Sequence, residues 1–214
     1  MSVEKVDRPA PPIQLQVFIL AGRRRLFLED DAELERQAMK NLRRAISTQL
    51  ERRVPTVRVV PVSGHPEKPH LGALNLAIQE INQQRSPEQQ QGELAIELLT
   101  NRSGSPSKSH GTTLYYSAAN PRAQQLAQCL QSALKAASPL PFIGALPDSY
   151  TSSRQLAFCR EVNLPAVVIY VGYLDNASDR AYIEALQQNP ATGESLATSL
   201  TEGILAALKE LENE

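Results

Sequence analysis

Short apolar runs alternate along the chain with longer stretches whose apolar residues return every three to four positions. The first run, LQVFIL at 15–20, closes on Ala21-Gly22 and predicts a strand. A stretch over 31–52 carries Leu34, Ala38, Leu42, Ala45, Ile46 and Leu50 at the helical period. Asp30 or Asp31 is placed to cap that helix, and an acidic first turn suits the helix dipole. Pro55 marks the break, and TVRVVPV at 56–62 predicts the second strand. The two-proline loop SGHPEKPH leads to a helix over 71–82, and QQRSPEQQQG reads as a polar surface loop. ELAIELL at 93–99 is the third strand, NRSGSPSKSHG a long loop, and TTLYYS at 112–117 the fourth strand. Pro121 opens a helix to Ala137 with Leu126, Leu130 and Leu134 on one face. SPLPFIGALPDSY reads as irregular, with a short strand as an option, and a short helix over 153–161 follows. AVVIYV at 166–171 is apolar almost throughout, as a central parallel strand covered on both faces should be. Helices over 178–186 and 194–211 finish the chain.

Strands alternating with helices predict one three-layer α/β domain over 14–214. It has a mostly parallel, twisted sheet of five or six strands with helices on both faces, preceded by a flexible arm at 1–13. Sites on such sheets form beyond the C-terminal ends of the strands. The ends to inspect are Gly22-Arg23, Leu99 to Asn101 and Tyr170 to Asn176. A net charge of -1 offers no argument for a nucleic-acid partner, and no apolar run reaches the roughly 20 residues of a membrane span. The opening MSVEKVDRPAPP lacks a basic-then-apolar leader pattern. The expectation is a cytoplasmic protein, or an envelope one if the chain is a piece of a longer secreted protein. Cys129 and Cys159 sit on apolar faces of helical segments and read as reduced core thiols.

Taken by themselves, the strand ends are poorly equipped for catalysis. The three histidines, His65, His70 and His110, all lie in loops rich in Pro, Ser or Gly. His65 and His70 do not have the i, i+4 spacing of paired ligands on a helix face, so solvated loop histidines are the default. Neither a G-x-S-x-G, a phosphate loop nor a C-x-x-C is present. Arg23 to Arg25 follow a strand end and read as an ordinary basic loop, with anion binding as the alternative. Tyr115-Tyr116 reads as core and edge packing rather than a ligand platform.

The order of these pieces resembles the zinc-dependent N-acetylmuramoyl-L-alanine amidases of bacterial cell walls. LPAVVIYVGYLDNASDRAYI at 164–183 is similar to that family's apolar strand followed by Gly, an aromatic, Leu, a small or acidic residue and Asn, with an acid soon after. HGTTLYYSAAN resembles its Gly-led Tyr-Tyr strand, SYTSSRQLAFCREVNLPAV its run from helix into final strand, and LATSLTEGILAAL its terminal helix. VFILAGR stands where the family closes a strand on Gly-His, and ELAIELLTN where a strand closes on a His two residues before Asn. The resemblance implies zinc held by two His and a helix Glu, with a second Glu as acid-base catalyst. Carried over by position, the first His falls on Arg23, the helix Glu on Glu35 or Glu33, the second His on Leu99 and the catalytic Glu on Tyr170. Arg cannot serve as a ligand and Leu offers no lone pair. Catalytic zinc needs three protein ligands and an open position. Without it, the attacking water keeps a pKa near ~15.7 instead of ~7, and Tyr, at ~10, is a poor general base at neutral pH.

The resemblance therefore implies a catalytically inactive amidase-like domain without zinc. It would act as a binding or regulatory module for a peptidoglycan fragment or an envelope or division protein. Arg23, Glu35, Asn101, Tyr170 and Asn176 would line the groove. One alternative is a working amidase with a rebuilt metal site that recruits His65, His70 or His110 beside Glu35 or Glu97. Another is a protein-interaction module unrelated to the cell wall. One further expectation is electrostatic. Arg23 takes the metal's place beside Glu35 or Glu33, with Leu99 and Tyr170 packed around the pair.

Overall fold

The computed structural model describes residues 15–22, 29–65, 67–68, 70–84, 93–103, 109–151 and 156–212. Six strands form one sheet: β1 (Leu15–Ala21), β2 (Val57–Val62), β3 (Glu93–Asn101), β4 (Thr112–Tyr116), β5 (Phe142–Pro147) and β6 (Ala166–Tyr173). The helices are α1 (Glu29–Arg53), α2 (His70–Gln84), α3 (Pro121–Ala137), α4 (Ala157–Glu161), α5 (Ala177–Gln188) and α6 (Glu194–Glu212). Short 3-10 turns cover Asp148–Tyr150 and Pro190–Gly193.

The strand order is β2-β1-β3-β6-β4-β5. β2, β1, β3 and β6 run parallel. β4 is antiparallel to β6, and β5 is parallel to β4. Chain length accounts for the reversal. A parallel crossover takes a dozen or more residues, and the segment 102–111 between β3 and β4 is shorter than that, so the chain returns antiparallel. The segment between β4 and β5 holds all of α3 and restores a parallel pair. The stretch 138–150, whose strand was only an option in the sequence, contains β5 at the sheet edge and one of the 3-10 turns.

Alternation along the strands divides the core in two. Val17, Ile19, Leu94, Ile96, Leu98, Val167, Ile169 and Val171 meet α1, α3, α5 and α6 on one face. Phe18, Leu20, Ala95, Leu99, Val168 and Tyr170 meet α2 and α4 on the other. β6 is buried from Ala166 to Gly172 and lies between β3 and β4, as its unbroken apolar sequence predicts. α3 begins where predicted. Asn120 Oδ1 accepts from the Ala123 N–H at 3.1 Å and Pro121 fills the first turn. α1 starts earlier than the sequence suggests, at Glu29, so neither Asp30 nor Asp31 is its N-cap. The arm at 1–13 and the Arg23–Arg25 loop lie outside the described residues.

Candidate functional site

β1, β3 and β6 end side by side, and α1 begins above them. β1 closes on Gly22 with φ +76°, where a Cβ would lie 2.9 Å from Lys40 Cε and 3.0 Å from the Arg36 carbonyl oxygen. Only glycine allows both that backbone turn and so close an approach of the helix.

The first two turns of α1 aim two carboxylates at the strand ends. Glu35 is buried, and its Oε2 accepts from the Thr100 backbone N–H at 2.7 Å and from the Thr100 hydroxyl. Asp31, also buried, accepts from Arg180 at 2.9 Å through Oδ1 and from Arg102 through Oδ2. Arg180 also donates to Glu184 at 2.8 Å, and its pKa is raised by hydrogen bonding to Asp31. Two further acids hold the loops. Asp175 Oδ2 accepts from the Ser103 N–H at 2.9 Å and its hydroxyl at 2.7 Å. Asp179 Oδ2 accepts from the Gly111 N–H at 2.6 Å and the Tyr173 N–H at 2.9 Å, tying the start of β4 to the end of β6. Each of these carboxylates accepts from donors of the chain itself. These bonds fasten the strand ends together.

The candidate residues separate into two groups. Leu99 and Tyr170 are direct partners in the β3–β6 register and lie together on the α2/α4 face, where Tyr170 meets Tyr115 edge-on at 5.7 Å and 84°. Glu35 lies across the sheet from them, against Thr100. The expected packing of Leu99 and Tyr170 around Glu35 therefore does not occur. Leu98 and Thr100 point towards α1, and Leu99 between them points away. Glu33 is a solvent residue, bonded at 2.7 Å by Arg36 Nε, which also holds its carboxyl below the usual range. Between Glu33 and Glu35, only Glu35 reaches the strand ends. Arg23 lies outside the described residues.

Asn101 and Asn176 both serve local backbone. Asn101 Oδ1 accepts from the Arg102 N–H at 2.8 Å. Asn176 caps α5, accepting from Ser178 at 3.0 Å and Asp179 at 3.2 Å. Its place before a helical period was a readable signal for a cap. Thr100, Asp31, Arg102 and Arg180 were missed by sequence reasoning. The periodicity marks Asp31 as near the α1 face, but nothing in the sequence pairs it with arginines far along the chain.

His70 opens α2, and its side chain lies outside the described residues. His65, at φ 40°, lies 3.4 Å from Glu67 and 3.7 Å from Glu80, and His110 is exposed. Glu97 is buried on the α2/α4 face, where burial and then its charge raise the Cys159 thiol pKa. Cys159 is buried and Cys129 partly so, both as free thiols. Tyr115 and Tyr116 pack against the two core layers, as their sequence reading has it. A zinc centre calls for His, Cys or carboxylate donors converging on one point. Among the described residues no three His, Cys, Asp or Glu do so. With Leu99 aliphatic, Tyr170 packed on Tyr115 and the Glu35 Oε2 held by Thr100, the described residues here do not fit the ion.

The sequence profile of the family described as N-acetylmuramoyl-L-alanine amidase matches residues 28–205. No curated protein sequence matches the chain. Among solved structures, it is similar to an N-acetylmuramoyl-L-alanine amidase from Clostridium difficile 630, with TM-score 0.70 and 18% identity, covering 92% of this chain and 98% of that one. The catalytic domain of CwlV, an amidase from Bacillus (Paenibacillus) polymyxa var. colistinus, gives TM-score 0.69 and 19% identity over 91% and 98% of the two chains. The CwlD amidase from Clostridioides difficile, solved in complex with the GerS lipoprotein, gives 0.62 and 16% over 92% and 100%. At these identities the likeness is one of fold.

Proposed function

The chain belongs to the N-acetylmuramoyl-L-alanine amidase family, and on that premise we propose that it is a catalytically inactive member that works by binding. Its ligand is a peptidoglycan fragment or an envelope protein. The observation that carries this reading is the in-register pair Leu99–Tyr170. An aliphatic chain and a phenol packed on Tyr115 occupy the two positions that the family resemblance assigns to a zinc ligand and the acid-base Glu. The fastening of Glu35 by Thr100 supports it, since that carboxylate is already committed to the end of β3. A protein partner is in keeping with the CwlD structure, in which that amidase is bound to a lipoprotein.

Two measurements test the proposal. Metal analysis of the purified protein gives no stoichiometric zinc, and incubation with muramoyl-peptide substrates releases no peptide. One zinc per chain, together with turnover that a chelator abolishes, refutes inactivity. Co-sedimentation with intact peptidoglycan then separates the ligand classes: retention assigns a wall fragment, and absence of retention assigns a protein partner.

A further inference from the structure

The charge on α1 is segregated along its length. Its first turn is acidic, with Glu29, Asp30 and Asp31. Its second half, KNLRRAISTQLERR at 40–53, holds five basic residues and one acid in a chain whose net charge is only -1. α1 packs on the sheet as the return helix between the parallel strands β1 and β2, so it runs opposite to them. The basic half consequently lies towards the N-terminal ends of the strands, away from the strand-end residues described above.

A cleft of about 710 Å³ opens there between α1, α6 and the 3-10 turn at Pro190–Gly193. That volume is within the range of small-ligand sites. Arg44, Thr48, Arg52 and Arg53 line one wall, and Glu194, Thr198 and Glu202 the other. Arg53 is neutralised by Glu202 at 2.6 Å. Arg44 and Arg52 have no carboxylate partner among the described residues. The adjacent face of the helix is crowded with like charge. Burial, and then Arg44, lower the Arg43 pKa; burial, and then Arg36, Arg43 and Arg44, lower that of Lys40. Arg44 and Arg52 are exposed, and cations grouped in a cleft raise the local concentration of anions.

We infer that this cleft is a binding site for a ligand bearing phosphoryl groups, held by Arg44 and Arg52. The open cations of the cleft are both arginines, whose planar forks pair bidentately with phosphate oxygens. The Thr48 and Thr198 hydroxyls add neutral donors on the two walls. Glu194 and Glu202 set the limit on the ligand: a long polyanion such as a nucleic-acid backbone would run against the acidic wall, whereas a compact ligand bearing phosphoryl groups can meet the arginine wall alone. The phosphate could belong to a soluble compound or to a lipid headgroup, and both present the same chemistry.

Calorimetric titration of the full chain with inorganic pyrophosphate at low salt, and co-sedimentation with phosphatidylglycerol vesicles, test the site. Arg44→Gln and Arg52→Gln should each weaken binding by about tenfold or more, the loss of one charge-assisted bidentate contact. Arg58→Gln, at an exposed position on β2, should leave it within about twofold. Binding to pyrophosphate assigns a soluble phosphate, and binding to vesicles alone assigns a headgroup; either supports the site if Arg44 and Arg52 carry it. No binding in either assay overturns the inference. So does a loss in the Arg58 variant equal to that in the cleft variants, because it would reflect general charge alone.

Discussion

The contact between Thr100 and Glu35 gives the sharpest test of how the strand ends are held. Thr100→Val keeps the shape of the side chain and removes only its hydroxyl. In the native protein that hydroxyl and the Thr100 backbone N–H donate to the same Glu35 oxygen. Thr100 is 0% and Glu35 1% exposed, so water cannot replace the lost donor without opening the site. A hydrogen bond to a charged group contributes about 1.5–3 kcal/mol, and the upper half of that range applies where the acceptor stays buried. The predicted loss is therefore about 2–3 kcal/mol. In a chain of this length each kcal/mol moves Tm by about 2–4 °C, so the fall should be about 4–12 °C. Urea denaturation followed by circular dichroism measures it, and a double-mutant cycle with Glu35→Gln isolates the pair. A loss below about 0.5 kcal/mol, the range of an ordinary surface substitution, would refute the description of Glu35 as fastened to the end of β3.

Three further outcomes follow from the same geometry. Glu35→Ala should destabilise by about 1–3 kcal/mol, because it leaves the buried Thr100 N–H and hydroxyl without their acceptor, while Glu33→Ala, exposed beside Arg36, should stay within about 0.5 kcal/mol; a larger loss from the Glu33 substitution in urea unfolding would reverse the assignment of the two acids. Gly203→Ala should cost about 1–3 kcal/mol by overpacking, because its Cβ would lie 2.7 Å from Leu130 Cα between α6 and α3; an unchanged or raised midpoint would contradict that close approach. Cys129, its pKa pushed up to about 11 by burial and by its contact with Glu210, should hold at pH 8 a thiolate fraction roughly two hundredfold smaller than an unperturbed thiol of pKa ~8.5, and alkylate at least about tenfold more slowly once its greater thiolate nucleophilicity is allowed for; a rate equal to that of free cysteine would show that the thiol is not so shielded.

The layered fold was legible because burial writes itself into the sequence. β6 reads as central from an unbroken apolar run, and α1 and α3 read as helices from their period. β5 was less legible, because FIGALP is short, lies between prolines and sits at a sheet edge where few neighbours enforce its pattern. The strand-end residues were legible as positions but not as contacts. Matching motifs by offset leads to Leu99, yet the residue that meets α1 is Thr100. The parity of β3 holds that information: Leu94, Ile96 and Leu98 face α1, and the next member of the series is Thr100. The ion pairs of Asp31 could not be read, because its partners Arg102 and Arg180 follow two different strands, β3 and β6, and are distant in sequence.

The charge pattern of α1 admits a simpler explanation, which can be weighed against binding in the cleft. Acids in the first turn and bases in the last complement the helix dipole, each contributing about 0.3–1 kcal/mol and only within the terminal turn. Glu29, Asp30, Arg52 and Arg53 satisfy that explanation. Arg44 does not, since it stands about two and a half turns before the end of the helix. Nor does Asp31 act through the dipole alone, because its oxygens are spent on two guanidiniums from β3's exit and α5. Asp31 and Arg44 lie at opposite ends of the sheet. Asp31 is compensated from within the chain, joining three segments at the strand ends. Arg44, with Arg52 beside it in the cleft, has no acidic partner among the described residues. Substituting Asp31 should therefore be read in stability, and substituting Arg44 in ligand binding with stability unchanged.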